Sequence, residues 1–170
     1  MAKRTLRNLS REIPTDKDFA RIDDEAEDVS DRHFALSFAI ELENTLRYAI
    51  TAVLPRKDRT IIDKMVEQDG VLGTFSRKID LGYALGLYDA QRHKELHIIR
   101  NIRNAFAHTM IPIAFDTPEL VRERTKLTSG QENNPPQVTN RDRFKYTCQY
   151  ILRILLRIMI DHGKGVPLIG

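Results

Sequence analysis

The sequence has almost none of the cysteine that is typical of secreted, disulfide-stabilised proteins. Its 170 residues contain a single cysteine, Cys148, and no tryptophan. One cysteine excludes an intrachain disulfide, and its place in an apolar helical stretch predicts a small buried hydrophobic residue rather than a nucleophile. A disulfide-based scaffold is therefore excluded, and we expect a cytoplasmic location.

Long apolar runs are also missing. The most hydrophobic stretch, 151–160, is interrupted by Arg153 and Arg157, and it is shorter than the roughly 20 apolar residues that cross a bilayer. Residues 1–10 are basic but lack the apolar core of a signal peptide. The sequence therefore predicts no membrane partner.

Most familiar catalytic motifs are absent. The sequence has no G-x-S-x-G, P-loop, G-x-G-x-x-G, C-x-x-C or H-E-x-x-H pattern. It also lacks a helix pair with a short glycine turn followed by a polar, base-reading helix. We therefore predict no cofactor, and direct sequence-specific DNA binding is not favoured.

The charge that is present is balanced overall but unevenly distributed. The net charge is +3, with a basic segment over residues 1–11 and an acidic one over 16–31. This pattern predicts a solvated, charged N-terminal arm over 1–29 that pairs with itself; a basic tail that touches phosphate is the alternative. A single helical domain over 30–163 and a C-terminal tail over 164–170 complete the predicted organisation.

Apolar residues recur at three- and four-residue steps, which predicts an all-α, compact multi-helix bundle of about six helices. Caps and breakers place these helices at about 31–54, 59–68, 74–88, 90–107, 118–126 and 141–161. The last helix is apolar nearly all round from Ile151, which predicts that it is the central core helix. Gly82 and Gly86 stand four apart, which predicts close approach of a neighbouring backbone, and the polar segment 128–140 predicts a loop.

The segment 90–108 carries the most informative pattern. On a helical wheel, Ile99, Ile102 and Phe106 share one side, with Leu96 at its edge. The other side holds a stripe formed by His93, His97, Arg100, Asn104 and His108, with Arg103 on the border. Three of the five histidines thus share one face with an asparagine and an arginine, which indicates a functional surface.

Arginine and histidine together suit phosphodiester cleavage without a metal. Histidine titrates near neutrality and can accept a proton, while arginine stabilises a charged phosphorane. The alternative is that Asn104 and His108 bind the end of their own helix. His93 and His97, four residues apart, could hold a metal, but Glu95 faces elsewhere and no third ligand occurs at motif spacing, so no metal site is predicted.

Three stretches resemble the bacterial mannitol operon repressor family: TFSRKIDLGYALGLYD (74–89), LHIIRNIRNAFAH (96–108) and FDTPEL (115–120). The resemblance covers about 34–126 and implies an oligomeric helical bundle that represses transcription. A regulator of this type would act through a protein partner or an indirect route to DNA. The polar stripe, not the resemblance, offers Arg100, His97 and His93 as its binding residues.

The end of the same segment, RNAFAH, resembles the Arg-x4-His signature of HEPN domains, with Arg103 and His108 at its two positions and Asn104 at the polar one. This resemblance implies a dimer that joins two motifs in one cleft, acting as a metal-independent ribonuclease, as a toxin-like RNase or as an inactive binding module. A helical transcriptional regulator, an RNA-cleaving enzyme and a helical interaction module of another kind all stay open. The segments 1–31 and 128–140 match neither family.

Overall fold

The computed structural model describes residues 30–56, 58–67, 69–130 and 138–163; the arm over 1–29 and the tail over 164–170 lie outside them. The described residues form six helices and no strand. In chain order these are α1 (Asp31–Val53), α2 (Arg59–Val66), α3 (Phe75–Ala84), α4 (Ala90–His108), α5 (Pro118–Arg124) and α6 (Asn140–Gly163). The predicted all-α bundle is confirmed, and none of the described helices is long and apolar enough to cross a membrane.

Side-chain caps begin helices α2, α3, α4 and α6. Asp58, Thr74, Asp89 and Thr139 each accept a hydrogen bond from the backbone N–H three residues later, at 3.1, 3.3, 3.0 and 3.1 Å. Such a bond pairs one of the N–H groups that the first helical turn leaves without a partner. The predicted caps at Thr74 and Asp89 are confirmed, and Pro118 lies in the first turn of α5 as predicted.

Helix α1 contributes ten buried residues, the most of any described helix, and it contacts α3, α4 and α6. Its apolar face is buried, with Phe38, Leu42 and Leu46 all at most 2% exposed. The prediction that α6 is central is wrong, although its Leu152 and Leu155 are buried as expected. Arg153 and Arg157, one turn apart, keep one side of α6 in solvent.

Helix α3 ends at Ala84, earlier than the pattern predicts, because Gly86 adopts a left-handed conformation with φ +73°. Gly86 N–H donates to Tyr83 O at 2.9 Å and Leu87 N–H to Gly82 O at 3.0 Å, the two bonds of a Schellman motif. The packing role predicted for Gly86 is therefore wrong, since the turn requires a residue that tolerates positive φ. This short turn reverses the direction of the chain, so that α4 packs against α3.

Gly82 does mark a close approach, but side chains rather than a backbone come near it. A Cβ atom at Gly82 would lie 2.6 Å from the Tyr88 hydroxyl and 3.0 Å from Leu46 Cδ1. The absence of a side chain at Gly82 lets the Tyr88 hydroxyl reach α3, where it donates to Ile79 O at 2.7 Å. This contact helps to fix the part of α3 that faces α4.

Candidate functional site

Helix α4 separates its apolar and polar sides as the wheel predicts. Leu96, Ile99, Ile102 and Phe106 are at most 1% exposed. His93, His97, Arg100, Arg103 and Asn104 are half-buried, and His108 is exposed. We call these six polar residues the α4 polar face. It consists of two parts with different chemistry.

The first part joins two histidines to an acid of the neighbouring helix. His93 Nε2 and His97 Nε2 each lie 3.0 Å from Asp80 Oδ1, and 3.3 Å from one another. Asp80 is a residue of α3, and its side chain is 59% exposed against 26% for each histidine. We call these three residues the Asp80 cluster.

Sequence reasoning found the histidine pair but missed Asp80, which lies on another helix 13 residues before His93. A signal was present in the sequence: Asp80 and Tyr83 stand one turn apart in α3. Tyr83 stacks on the His93 ring, with centroids 4.6 Å apart and planes inclined by 24°. The two α3 residues that contact His93 are therefore on the same side of that helix.

The Asp80 carboxylate is held in its charged form by its neighbours. The hydrogen bond from the His93 side chain lowers the pKa of Asp80, partial burial opposes this, and the bond and charge of His97 lower it further. The net direction is downward from its ordinary value of 3.8. The cluster is therefore a carboxylate shared by two imidazoles near the surface.

The second part of the α4 polar face presents arginines. Arg103 Nη1 donates to Asn104 Oδ1 at 3.0 Å, and Arg100 Nη2 donates to Asn101 Oδ1 at 2.9 Å. His108 is the last residue of α4 and follows Asn104 by one turn. Of the three residues predicted as catalytic, the structure thus brings Arg103 and Asn104 into contact and places His108 in the open.

The end of α4 receives its side-chain donor from α1. Arg32 Nη2 donates to Thr109 O at 2.8 Å, and the Thr109 N–H bonds Ala105 O. A cation at this position complements the helix dipole. Another guanidinium is therefore anchored one residue after His108, and the amide oxygen of Asn104 is engaged with Arg103.

On the opposite side of α4, Glu95 is a buried acid with no exposed surface. Its carboxylate accepts hydrogen bonds from Thr128 N at 2.8 Å, from Ser129 N at 2.9 Å, from Gln91 Nε2 at 3.2 Å and from the Ser129 hydroxyl. Burial acts to raise the pKa of Glu95, but the bonds from Ser129 and Thr128 together outweigh it and lower the pKa. The carboxylate thereby anchors the start of the predicted 128–140 loop, of which 131–137 lie outside the described residues.

No family model, curated protein or solved structure matches the chain. What the α4 polar face does is therefore inferred from its own geometry and chemistry.

Proposed function

We propose that this protein is a cytoplasmic transcriptional regulator, similar to the mannitol operon repressors, that acts through the α4 polar face rather than through a DNA-reading helix. One observation supports this proposal most. Arg100 and Arg103 are half-buried, and each guanidinium is hydrogen-bonded to the amide beside it. Guanidinium groups oriented in this way suit recognition of carboxylates or phosphates on a partner.

An apolar segment beside the face adds to the surface. Met110 is fully exposed and Ile111 is 67% exposed, two and three residues after His108. Exposed apolar side chains next to arginines are typical of binding surfaces, in which apolar anchors are flanked by charged contacts. Methionine adapts its shape to a partner at little cost. A second copy of the chain or another protein is the partner that this mixed surface fits.

The experiment measures transcripts of the mannitol-uptake operon in a host strain that lacks the gene. We expect the wild-type gene to restore repression, and the double variant Arg100→Ala/Arg103→Ala to fail although it is folded and expressed equally. The matched control is Arg153→Ala/Arg157→Ala, which removes two arginines from the exposed side of α6. Unchanged transcripts with and without the wild-type gene would contradict the proposal.

A metal-independent ribonuclease is the second candidate function, and a specific observation favours it. Arg103 and Asn104 are in contact, and His108 stands exposed one turn later. In the reaction, His108 would take the proton of a ribose 2′-hydroxyl, whose oxygen attacks the adjacent phosphorus. The bond to the 5′-oxygen then breaks and that oxygen takes a proton from water, which gives a 2′,3′-cyclic phosphate and a 5′-hydroxyl, while Arg103 stabilises the charged phosphorane.

The test is cleavage of a structured RNA in EDTA by the wild type, by His108→Ala and by Arg103→Ala. General base catalysis contributes about 10²–10⁴-fold, so His108→Ala should lower the rate by that factor while leaving the fold intact. His162→Ala, at the exposed end of α6, is the matched control. No cleavage by folded wild-type protein would eliminate the ribonuclease and leave the regulator.

A further inference from the structure

The Asp80 cluster brings three lone-pair atoms unusually close together. The two imidazole Nε2 atoms and Asp80 Oδ1 form a triangle with sides of 3.0, 3.0 and 3.3 Å. Atoms of this kind repel one another unless positive charge lies between them. Either ring protons or a single cation can supply that charge.

The triangle has the right size for a metal ion. An ion about 2.0–2.1 Å from each atom, the usual distance for zinc with these donors, would see ligand–ion–ligand angles of about 90–110°. That range extends from octahedral to tetrahedral coordination. The three ligand atoms all lie within 4.8 Å of one another without any movement of the helices.

We propose that Asp80, His93 and His97 bind one divalent transition-metal ion, Zn²⁺ by its ligand preference, and that the ion joins α3 to α4. Two imidazole nitrogens and one carboxylate oxygen are a donor set that zinc uses where it keeps a coordination position open. The exposure of Asp80 leaves such a position to water or to an added ligand. Hard cations such as Mg²⁺ and Ca²⁺ prefer oxygen donors alone and are disfavoured.

The supporting contacts hold α3 on both sides of the ligand. Lys78 Nζ forms an ion pair with Glu43 of α1 at 2.5 Å, and Ile79 O accepts the bond from Tyr88. Tyr83, which like Asp80 belongs to α3, stacks on the His93 ring. Because these neighbours fix both the acid and one imidazole, an ion would meet ligands that are already oriented.

This inference shares His93 and His97 with the α4 polar face, but the test of the proposed function changes Arg100 and Arg103 and this one changes Asp80 and the two histidines, so the failure of either can be told from the failure of the other. The experiment is zinc titration of the untagged full chain by calorimetry, with the thermal midpoint Tm measured at each zinc concentration. We expect one zinc per chain and a Tm that rises with zinc, because the ion binds the folded state. Cobalt(II) substituted at the site should show the visible absorption bands of nitrogen and oxygen coordination without a thiolate band.

The variants are Asp80→Asn, His93→Gln and His97→Gln, with His162→Gln as the matched control. Loss of an outer-shell partner already costs about 10–100-fold in metal affinity, so each ligand variant should lose at least about tenfold. The control should bind as the wild type does. Absence of saturable zinc binding, or wild-type affinity in the three folded ligand variants, would overturn the proposal and leave a cluster that is only hydrogen-bonded.

Discussion

Glu95 of helix α4 and Asp80 of the neighbouring α3 are carboxylates that are held in opposite ways. Glu95 has no exposed surface and accepts hydrogen bonds from the backbone and side chains of Thr128 and Ser129. Asp80 is largely exposed, and one of its oxygens faces two histidines. Both carboxylates have a lowered pKa, but Glu95 owes this to neutral donors of the fold and Asp80 to the side chains of His93 and His97.

The difference separates an acid that maintains the fold from one that is available to a ligand. The N–H and hydroxyl of Ser129 would be buried without a partner if the carboxylate were removed, so folding depends on it. The imidazoles around Asp80 reach solvent and can exchange their partner for water or a cation. A shift in pKa does not by itself identify a functional acid; the exposure and chemistry of its partners do.

The largest loss of stability should come from filling the space beside Gly82, because the position of α3, and therefore of Asp80, depends on it. Gly82→Leu inserts a side chain where even a Cβ meets the Tyr88 hydroxyl at 2.6 Å. We expect it to lower the free energy of unfolding by more than about 3 kcal/mol, at the upper end of overpacking effects. Ala84→Leu, on an exposed site of the same helix, is the control in urea denaturation; equal stability of the two variants would contradict the close approach.

Removal of the buried acid Glu95 should lower the free energy of unfolding nearly as much. Glu95→Ala leaves the N–H groups of Thr128 and Ser129 without their acceptor, which should cost about 3 kcal/mol. Glu67→Ala, which removes an exposed glutamate directly after α2, is the matched control and should change stability by less than about 0.5 kcal/mol. A Glu95 variant as stable as this control would show that the anchoring of the loop contributes nothing.

The contribution of Glu95 should also depend on pH. Its pKa is lower in the folded chain than the ordinary value of 4.5, so the unfolded state binds more protons in the interval between the two. The stability that its charge provides is therefore complete above 4.5 and disappears as the pH falls through the folded pKa. Glu95→Gln should be less stable than the wild type at pH 7 by about 1–3 kcal/mol, the cost of weakening buried hydrogen bonds. Urea titrations between pH 7 and 3 should show the difference in stability between the wild type and Glu95→Gln becoming smaller. A difference that grows toward acid would contradict a lowered pKa of Glu95 in the folded chain.

The smallest effect on stability should come from the exposed acid. Asp80→Asn should alter the free energy of unfolding of the metal-free chain by no more than about 0.5 kcal/mol. The same substitution should abolish the rise of Tm with zinc. A large loss of stability without zinc would instead assign Asp80 to the fold, as Glu95 is, and would end the contrast between the two acids.

The sequence predicted the local features of this molecule well. Caps at Thr74 and Asp89 and the division of α4 into two sides follow from hydrogen bonding and periodicity within one helix. The wheel also contained the signal for Glu95, which stands four residues before Ile99 and seven before Ile102 on the apolar side. An acid in that position indicates a buried carboxylate with donors supplied from elsewhere in the chain.

Contacts between helices could not be predicted in the same way. The partnership of Asp80 with His93 and His97 depends on where α3 ends and how the turn at Gly86 directs α4. Periodicity places a residue on a side of its helix but does not give the crossing of two helices. The deeper burial of α1 than of α6 was missed for the same reason, since it depends on which sides of a helix its neighbours cover: ten residues of α1 are buried, whereas Arg153, Arg157 and Ile160 of α6 are exposed.

The Schellman turn at Gly86 also has a consequence for the order of folding. It brings together groups only 13 and 17 residues apart, whereas Asp31 bonds Phe115 N and Arg141, 84 and 110 residues away along the chain. Closing a short loop costs less entropy than closing a long one, and local contacts form faster. The α3–α4 hairpin is therefore expected to form early and the contacts of Asp31 late, so that the three groups of the Asp80 cluster meet before the bundle around them is complete.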